Sequence, residues 1–225
     1  MFICWFSHDE DVPDMSDNRF RALKTLVDNI GVPVIMITNN NLQSFVKSDY
    51  PLHEGFKYLT GNHKSDYLRS YLLHHYGGGY HDIKFRTSSW DDQWDKFINN
   101  DTWIVGRKEY KERWIGYSPG MKHIQKEHNK LVTMGWIICR PYTKYTYSLS
   151  KALEATLDKH LPSLIKYPAQ IPRGYYPDKP YEPVPPNSYP LRWLEMMGEK
   201  SHEIMLKYTS NICFGLPDVV YKNYK

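Results

Sequence analysis

Three consecutive glycines, Gly77 to Gly79, stand between two different sequence patterns and restrict the fold more than any other feature. Before them, apolar residues recur at helical spacing and predict a helix that begins at Asn62 or Ser65 and ends near Tyr76. Glycine ends a helix readily because it passes freely through positive φ. Tyr80 to Phe85 then has the pattern of a short strand. The chain therefore reverses from a helix into a sheet within a few residues.

The N-terminal segment has the order strand, helix, strand. Phe2 to Ser7 is an apolar run that predicts a buried strand, and Ser16 starts a helical pattern that stops at Gly31. Val34 to Thr38 is a second apolar run. A short return through one helix implies that the two strands are parallel. We therefore predict an α/β fold, with a Rossmann-like mixed sheet flanked by helices in a single domain spanning residues 1–225.

Weaker patterns predict the remaining elements. Strands are expected at Thr102–Val105 and Trp136–Cys139, and helices at Leu42–Val46, Trp90–Ile98, Ala152–Leu161 and Leu191–Tyr208.

Composition excludes several classes of protein. The net charge is +4 without a basic stripe, so we do not expect a nucleic-acid partner. No segment approaches the roughly 20 apolar residues of a membrane span. The three cysteines form no metal or disulfide spacing, which indicates a reducing compartment and predicts a cytoplasmic location. The 19 Tyr and 7 Trp suit either sugar binding or a tyrosine-rich core.

Residues 168–190 hold eight of the 15 prolines. This density excludes a helix or a central strand. The segment reads either as a disordered linker or as an ordered loop, and its tyrosines favour the loop. We expect it to be an ordered loop on the domain surface, where tyrosine offers a flat amphipathic face to a ligand.

Asp82 follows the glycines at the C-terminal end of the short strand, the edge at which open α/β sheets bind ligands. On the helix, Asp66 and Arg69 are spaced to form a surface ion pair, and a carboxylate in the first turn also suits the helix dipole. We nevertheless expect Asp66 and Asp82 to converge on one pocket. His81 points away from Asp82 in a regular strand and is interpreted as structural.

The segment from Ser65 to Phe85 resembles the motif of GT-A fold glycosyltransferases of the capsular-polysaccharide and mannosyltransferase-like groups. That motif contains Ser-Asp, an arginine, two glycines, and a tyrosine followed by an Asp-x-Asp sequence. The matching residues are Ser65, Asp66, Arg69, Gly77, Gly78, Tyr80 and Asp82. The chain departs from the motif at its last position, where Lys84 replaces the second aspartate.

The resemblance implies a GT-A fold and a glycosyltransferase that moves a hexose or pentose from a UDP- or GDP-sugar to a glycan or other hydroxyl acceptor, with retention of configuration. Residues 1–110 would form the nucleotide-sugar-binding half and residues 111–225 the acceptor half. The implied donor-binding residues are Trp5, Phe6, Ser7, Asp66, Arg69, Gly78, Gly79, Tyr80, Asp82 and Lys84. For the first three, a buried edge of the sheet is an equal alternative.

The implied catalytic residues are Asp82 and Glu195. Glu195 would act as the general base if the enzyme inverts configuration, although a carboxylate at a helix start also has a purely structural explanation. The implied acceptor-binding residues are Trp136, Tyr189, Trp193 and Glu195. In such an enzyme, we expect the ordered loop 168–190 to form a wall of the acceptor site.

Asp82 is also the implied ligand of a divalent Mn²⁺ or Mg²⁺. We expect Lys84 to turn outward while Asp82 holds this metal weakly through the diphosphate and water. Alternatively, Lys84 replaces the metal and meets the diphosphate as a point charge. A third possibility is an inactive site, which would make the chain a nucleotide-sugar or glycan-binding protein.

Overall fold

Six strands form one mixed sheet in a computed structural model that describes residues 1–6, 15–118, 120–169 and 184–221. The strands are β1 (Phe2–Cys4), β2 (Ile35–Ile37), β3 (Gly78–His81), β4 (Ile104–Lys108), β5 (Val132–Cys139) and β6 (Ile212–Phe214). Their order across the sheet is β2-β1-β3-β5-β4-β6.

Within this sheet, β5 is the strand that runs against the others. It pairs antiparallel with β3 and β4, whereas the β1–β2, β1–β3 and β4–β6 pairs are parallel. The parallel pairing of β1 and β2 confirms the prediction from the N-terminal pattern. As a result, the C-terminal ends of β1, β3 and β4 lie along one edge of the sheet.

Helices cover both faces of the sheet, which confirms the predicted α/β fold class. The α-helices are α1 (Asp17–Asn29), α2 (Gly61–His75), α3 (His123–Lys126), α4 (Lys144–Lys166) and α5 (Gly198–Met205). The 3₁₀ helices are Leu42–Phe45, Glu54–Tyr58, Asp91–Ile98, Glu112–Trp114, His128–Lys130 and Leu206–Asn211. None of the helices in the described ranges is long and apolar enough to cross a membrane.

The glycine triplet performs the predicted reversal between α2 and β3. Gly77 has φ +66° and Gly78 has φ +80°, in the left-handed region that side-chain-bearing residues avoid. Gly79 has a different requirement, because a Cβ at this position would lie 2.6 Å from the ring of Trp90. Two turn positions and one close contact therefore explain the three glycines.

Two apolar clusters sandwich the sheet. One packs α2 and α4 against its first face and includes Leu68, Leu72 and Leu153. The other lies on the opposite face and includes Trp90 and Trp136, both fully buried. The alternation of side chains along β3 and β5 distributes these residues between the two faces.

β5 bulges where it passes between β3 and β4. Gly106 of β4 pairs with Ile137, but Lys108 pairs with Val132, so the register shifts within β5. Thr133, Met134 and Gly135 occupy the displaced part. β-bulges often adjoin active sites because they redirect side chains and backbone groups.

Two differences from the predicted elements have local causes. The helix predicted at Leu191–Tyr208 begins only at Gly198, and the Glu195 carboxylate accepts a hydrogen bond from the Arg192 backbone in the turn before it. The short strand β6 was not predicted, because three residues are too few to show a periodicity.

Candidate functional site

A cleft of about 850 Å³ opens at the C-terminal edge of the sheet. It is bordered by the residues that follow β1, β3 and β4, by the start of α2, by the β5 bulge and by the segment before α5. The predicted site residues that border it are Trp5, Phe6, Asp66, Arg69, Tyr80, Asp82, Lys84 and Trp193. Asp66 and Asp82 thus share one cleft, as expected.

Arg69 joins the two aspartates. Its Nη2 lies 3.2 Å from Asp66 Oδ1 and 3.2 Å from Asp82 Oδ1, while Nη1 donates a 2.6 Å hydrogen bond to the carbonyl of Met134 in the β5 bulge. The guanidinium carbon also lies 4.1 Å from the centre of the Tyr80 ring. These contacts fix both carboxylates relative to the sheet.

The position of Asp66 differs from the simple interpretation of its spacing. Thr60 caps α2, which begins at Gly61, so Asp66 lies in the second turn and outside the reach of the first-turn dipole effect. Its side chain is only 17% exposed and faces the cleft. The Asp66–Arg69 pair is consequently part of the cleft wall and not an exposed surface pair.

The two aspartates have opposite pKa shifts. Burial raises the pKa of Asp66 to about 7, although Arg69 opposes this shift. Burial also acts to raise the pKa of Asp82, but Lys84 and Arg69 outweigh it and lower the value to about 2. Near neutral pH, Asp82 is therefore ionised while Asp66 can exchange a proton.

The expectation that Lys84 turns outward is wrong. Its side chain is 12% exposed, and its Nζ lies 3.0 Å from Asp82 Oδ2. The ammonium also lies 5.2 Å from the ring centre of Trp136 and 5.3 Å from that of Tyr221. The negative charge of Asp82 and the two aromatic rings together draw the lysine inward.

The donor set does not fit a divalent metal at Asp82. Arg69 contacts one oxygen of this carboxylate and Lys84 contacts the other, so a metal ion would meet two cations. Across the described part of the chain, no group of three or more His, Cys, Asp or Glu side chains is placed to hold a metal.

Trp5 and Phe6 follow β1 and border the cleft. The Trp5 indole nitrogen is buried and donates to no acceptor among the residues that the structure describes. A buried N–H group without an acceptor is costly. Ser7, the third predicted residue of this group, lies outside the described residues.

Glu109 was not predicted but borders the cleft two strand positions from Asp82. It follows β4, is 3% exposed, and lies beside the bulge, whose Thr133 also borders the cleft. The sequence did contain a signal, since an acidic residue follows a buried strand here as Asp82 follows β3. The predicted strand ended at Val105, however, and left Glu109 several residues beyond it.

Three predicted residues lie away from the cleft. Gly78 and Gly79 serve the turn and the contact with Trp90 described above, and neither borders the cleft. Trp136 cannot contact an acceptor because it is fully buried on the opposite face, where it stacks on His81. The structural interpretation of His81 is confirmed, since this side chain is also fully buried there.

Glu195 and Tyr189 also lie outside the cleft. The Glu195 carboxylate faces α4, with Oε1 2.8 Å from His160 Nε2 and Oε2 3.3 Å from Arg192 Nε. Burial acts to raise the Glu195 pKa, but His160 and Arg192 outweigh it and lower the value to about 2. The Tyr189 hydroxyl lies 2.7 Å from His63 Nδ1. The predicted acceptor loop 168–190 falls largely outside the described residues, because 170–183 are not among them.

The family described as capsular polysaccharide synthesis protein matches residues 1–150. No curated protein and no solved structure matches the chain. The matched segment includes Asp66, Arg69, Asp82, Lys84 and Glu109, and so contains all the ionisable side chains discussed at the base of the cleft.

Proposed function

This chain belongs to the capsular polysaccharide synthesis protein family, and we propose that it is a glycosyltransferase. It would move a sugar from a nucleotide-diphosphate sugar to a hydroxyl group of a glycan. The nucleotide, the sugar and the acceptor chain are open. A cytoplasmic location, a GT-A fold and the division at residue 110 stay predictions from the sequence.

The observation that carries this proposal is the cluster of two cations around Asp82 at the ligand-binding edge of the sheet. Arg69 and Lys84 approach the two oxygens of one carboxylate inside a large cleft. A sugar-diphosphate donor develops negative charge on its leaving group as the sugar departs. Preorganised cations in a water-poor site stabilise such charge without reorganisation.

We assign the nucleotide to the side of the cleft formed by the end of β1 and the start of α2. Trp5 and Phe6 would contact the base. Asp66 would accept hydrogen bonds from the ribose or the sugar. Asp82 would fix Arg69 and Lys84 instead of binding a metal.

In this proposal, Lys84 replaces the divalent ion. An ammonium is a compact point charge that can move from Asp82 to a diphosphate oxygen with a small rotation of its side chain. A charge pair at about 4 Å contributes on the order of 4 kcal/mol near a protein surface before desolvation is subtracted. That energy is large enough for a catalytic contact.

The test is release of nucleoside diphosphate from a panel of UDP- and GDP-sugars, with and without a glycan acceptor and with and without EDTA. We expect the wild type to keep its activity in EDTA. Lys84→Met should lower kcat by about 10²- to 10³-fold, as loss of a charge-stabilising donor does. Lys24→Met, which removes an exposed lysine on α1, serves as the matched control.

Two results would contradict parts of this proposal. If activity is lost in EDTA, restored by Mn²⁺ and unaffected by Lys84→Met, the reaction requires a metal ion, and Asp82 would be its ligand. Thermal stabilisation by nucleotide sugars without turnover of any of them would show a binding protein, the alternative that the Lys84 substitution first suggested. A ligand at 100 times its Kd stabilises by about 2.7 kcal/mol, which a thermal shift detects.

A further inference from the structure

Glu109 borders the cleft at a position from which its carboxylate could accept a proton from an acceptor hydroxyl. β3 and β4 run in the same direction with β5 between them, so Asp82 and Glu109 emerge at the same edge two strand positions apart. Strands in a sheet are about 4.8 Å apart, which places the two backbones roughly 10 Å apart. A sugar ring can lie between the carboxylate of Glu109 and the cations at Asp82.

The β5 bulge connects these two sides of the cleft floor. Gly135 lies beneath the ion pair of Asp82 and Lys84, since a Cβ on it would be 3.2 Å from both charged groups. Two residues earlier in the bulge, Thr133 borders the cleft together with Glu109. The bulge therefore leaves an open floor beside the cations, and the carboxylate lies at the far end of that floor.

Glu109 has the protonation chemistry of a base. Its Oε2 is buried and accepts no hydrogen bond from the residues that the structure describes, and the nearest cation, Arg107 Nη2, is 3.7 Å away. Burial raises the pKa of Glu109, opposed by Arg107, Thr133 and Lys84, while Asp218 raises it further. Such a carboxylate binds a proton more readily than an exposed one.

Arg107 lies near the Glu109 carboxylate but is too far from it for a close ion pair. Its guanidinium carbon lies 5.2 Å from the ring centres of both Trp114 and Trp136 and 5.4 Å from that of Tyr110. The aromatic rings fix the position of the cation. Trp114 also borders the cleft beside Glu109, where its partly exposed indole offers a flat face to a sugar.

We infer that Glu109 is the general base that accepts the proton of the acceptor hydroxyl, and that transfer inverts the anomeric configuration. The inference rests on the proposed glycosyltransferase function. The acceptor oxygen forms a bond to the anomeric carbon while the bond from that carbon to the diphosphate oxygen breaks. The electron pair of the broken bond leaves with the diphosphate, and the hydroxyl proton moves to the Glu109 carboxylate.

Inversion follows from the placement of the groups. Lys84 and Arg69 draw the diphosphate to one end of the floor, and Glu109 draws the acceptor hydroxyl to the other. The acceptor then attacks the face of the sugar opposite the leaving group. This outcome differs from the retention that the sequence resemblance implies, and it assigns to Glu109 the role first expected of Glu195.

The experiment compares wild type, Glu109→Gln and Glu109→Asp, with Glu199→Gln as a control for loss of a buried, arginine-paired carboxylate outside the cleft. Initial rates of transfer are measured across pH, together with Kd for the nucleoside diphosphate. We expect Glu109→Gln to lose about 10²- to 10⁴-fold in kcat and to lose the acidic limb of the pH profile. The Kd should change less than twofold, and Glu109→Asp should retain part of the rate and the acidic limb.

Nuclear magnetic resonance of the first product formed by the wild type gives its anomeric configuration, even if Glu109→Gln fails to fold. Inversion supports the inference, and retention overturns it. It is also overturned if folded Glu109→Gln transfers sugar at a rate within threefold of Glu199→Gln. If the wild type transfers no sugar from any donor, the proposed function fails first and this inference falls with it.

Discussion

The substitution Arg69→Met tests whether the Arg69 cluster organises the cleft. Methionine keeps the apolar stem of the side chain but removes the cation shared by Asp66 and Asp82. It also leaves the Met134 carbonyl without its 2.6 Å donor. We expect the fold to persist, because Lys84 still neutralises one oxygen of Asp82.

The decrease in the free energy of unfolding caused by Arg69→Met can be estimated from the burial of its ion pairs. Removing one partner of a buried ion pair costs about 3–5 kcal/mol. The Asp66 and Asp82 side chains are 17% and 30% exposed, so water offsets part of this loss, and we expect about 3 kcal/mol. For a domain of this size, 1 kcal/mol shifts Tm by about 2–4 °C, which gives a decrease of about 6–12 °C.

The loss of folding stability caused by Arg69→Met should also depend on pH. The folded pKa of Asp66 is about 7 in the wild type, and it rises further when Arg69 is absent. Below pH 7, Asp66 becomes protonated in both proteins and no longer gains from the cation. The difference in stability between wild type and Arg69→Met should therefore shrink as the pH falls from 8 to 5.

The assay is chemical denaturation at several pH values, with circular dichroism as the probe and Lys24→Met as the control. Lys24 forms an exposed pair with Asp28, and such pairs contribute about 0–1 kcal/mol. A loss below about 1 kcal/mol for Arg69→Met, or one that does not change with pH, would refute the role assigned to this cluster.

Three further predictions separate packing from function. Trp136→Ala should lower the free energy of unfolding by about 3–5 kcal/mol because its ring is fully buried, which thermal unfolding checks. Trp193→Ala at the cleft should raise the acceptor KM with little change in Tm, which transfer kinetics and thermal unfolding check. Gly79→Ala should lower the free energy of unfolding by about 1–3 kcal/mol through its clash with Trp90, and an unchanged denaturation midpoint would contradict this. Because the pKa of Asp66 is about 7 in the folded protein and 3.8 in the unfolded chain, proton uptake by Asp66 stabilises the wild type as the pH falls from about 7 towards 3.8. Asp66→Asn lacks this group, so the free energy of unfolding of the wild type should rise relative to that of the variant over the same pH range.

Local sequence signals predicted the part of the fold and of the cleft that depends on neighbouring residues. The glycine triplet required a reversal, and the strand that follows it ends beside Asp82 as expected. The helical spacing of Asp66 and Arg69 predicted their contact. These features follow from backbone conformation and side-chain spacing within about 20 residues of one another.

The features that were missed depend on contacts between distant segments. Glu109 joins the cleft because β5 turns back between β3 and β4 and bulges, and no local pattern contains that register shift. Trp136 resembled a sugar platform by residue type, but the face it occupies is set by its pairing with His81 across β3 and β5. The direction of Lys84 depended on its contacts with Asp82, Trp136 and Tyr221, the last of these far away in sequence.

The pairing of β6 with β4 has a consequence for how the chain reaches its native state. β6 is formed by residues 212–214, so the outer edge of β4 stays unpaired until these residues have left the ribosome. An open strand edge can recruit another chain, and distant pairings form slowly. A chain cut after residue 150 would retain the matched family segment, but it would lose most of α4 and the wall of the cleft before α5 and would expose this edge of β4 permanently. We therefore expect such a fragment to self-associate through β4.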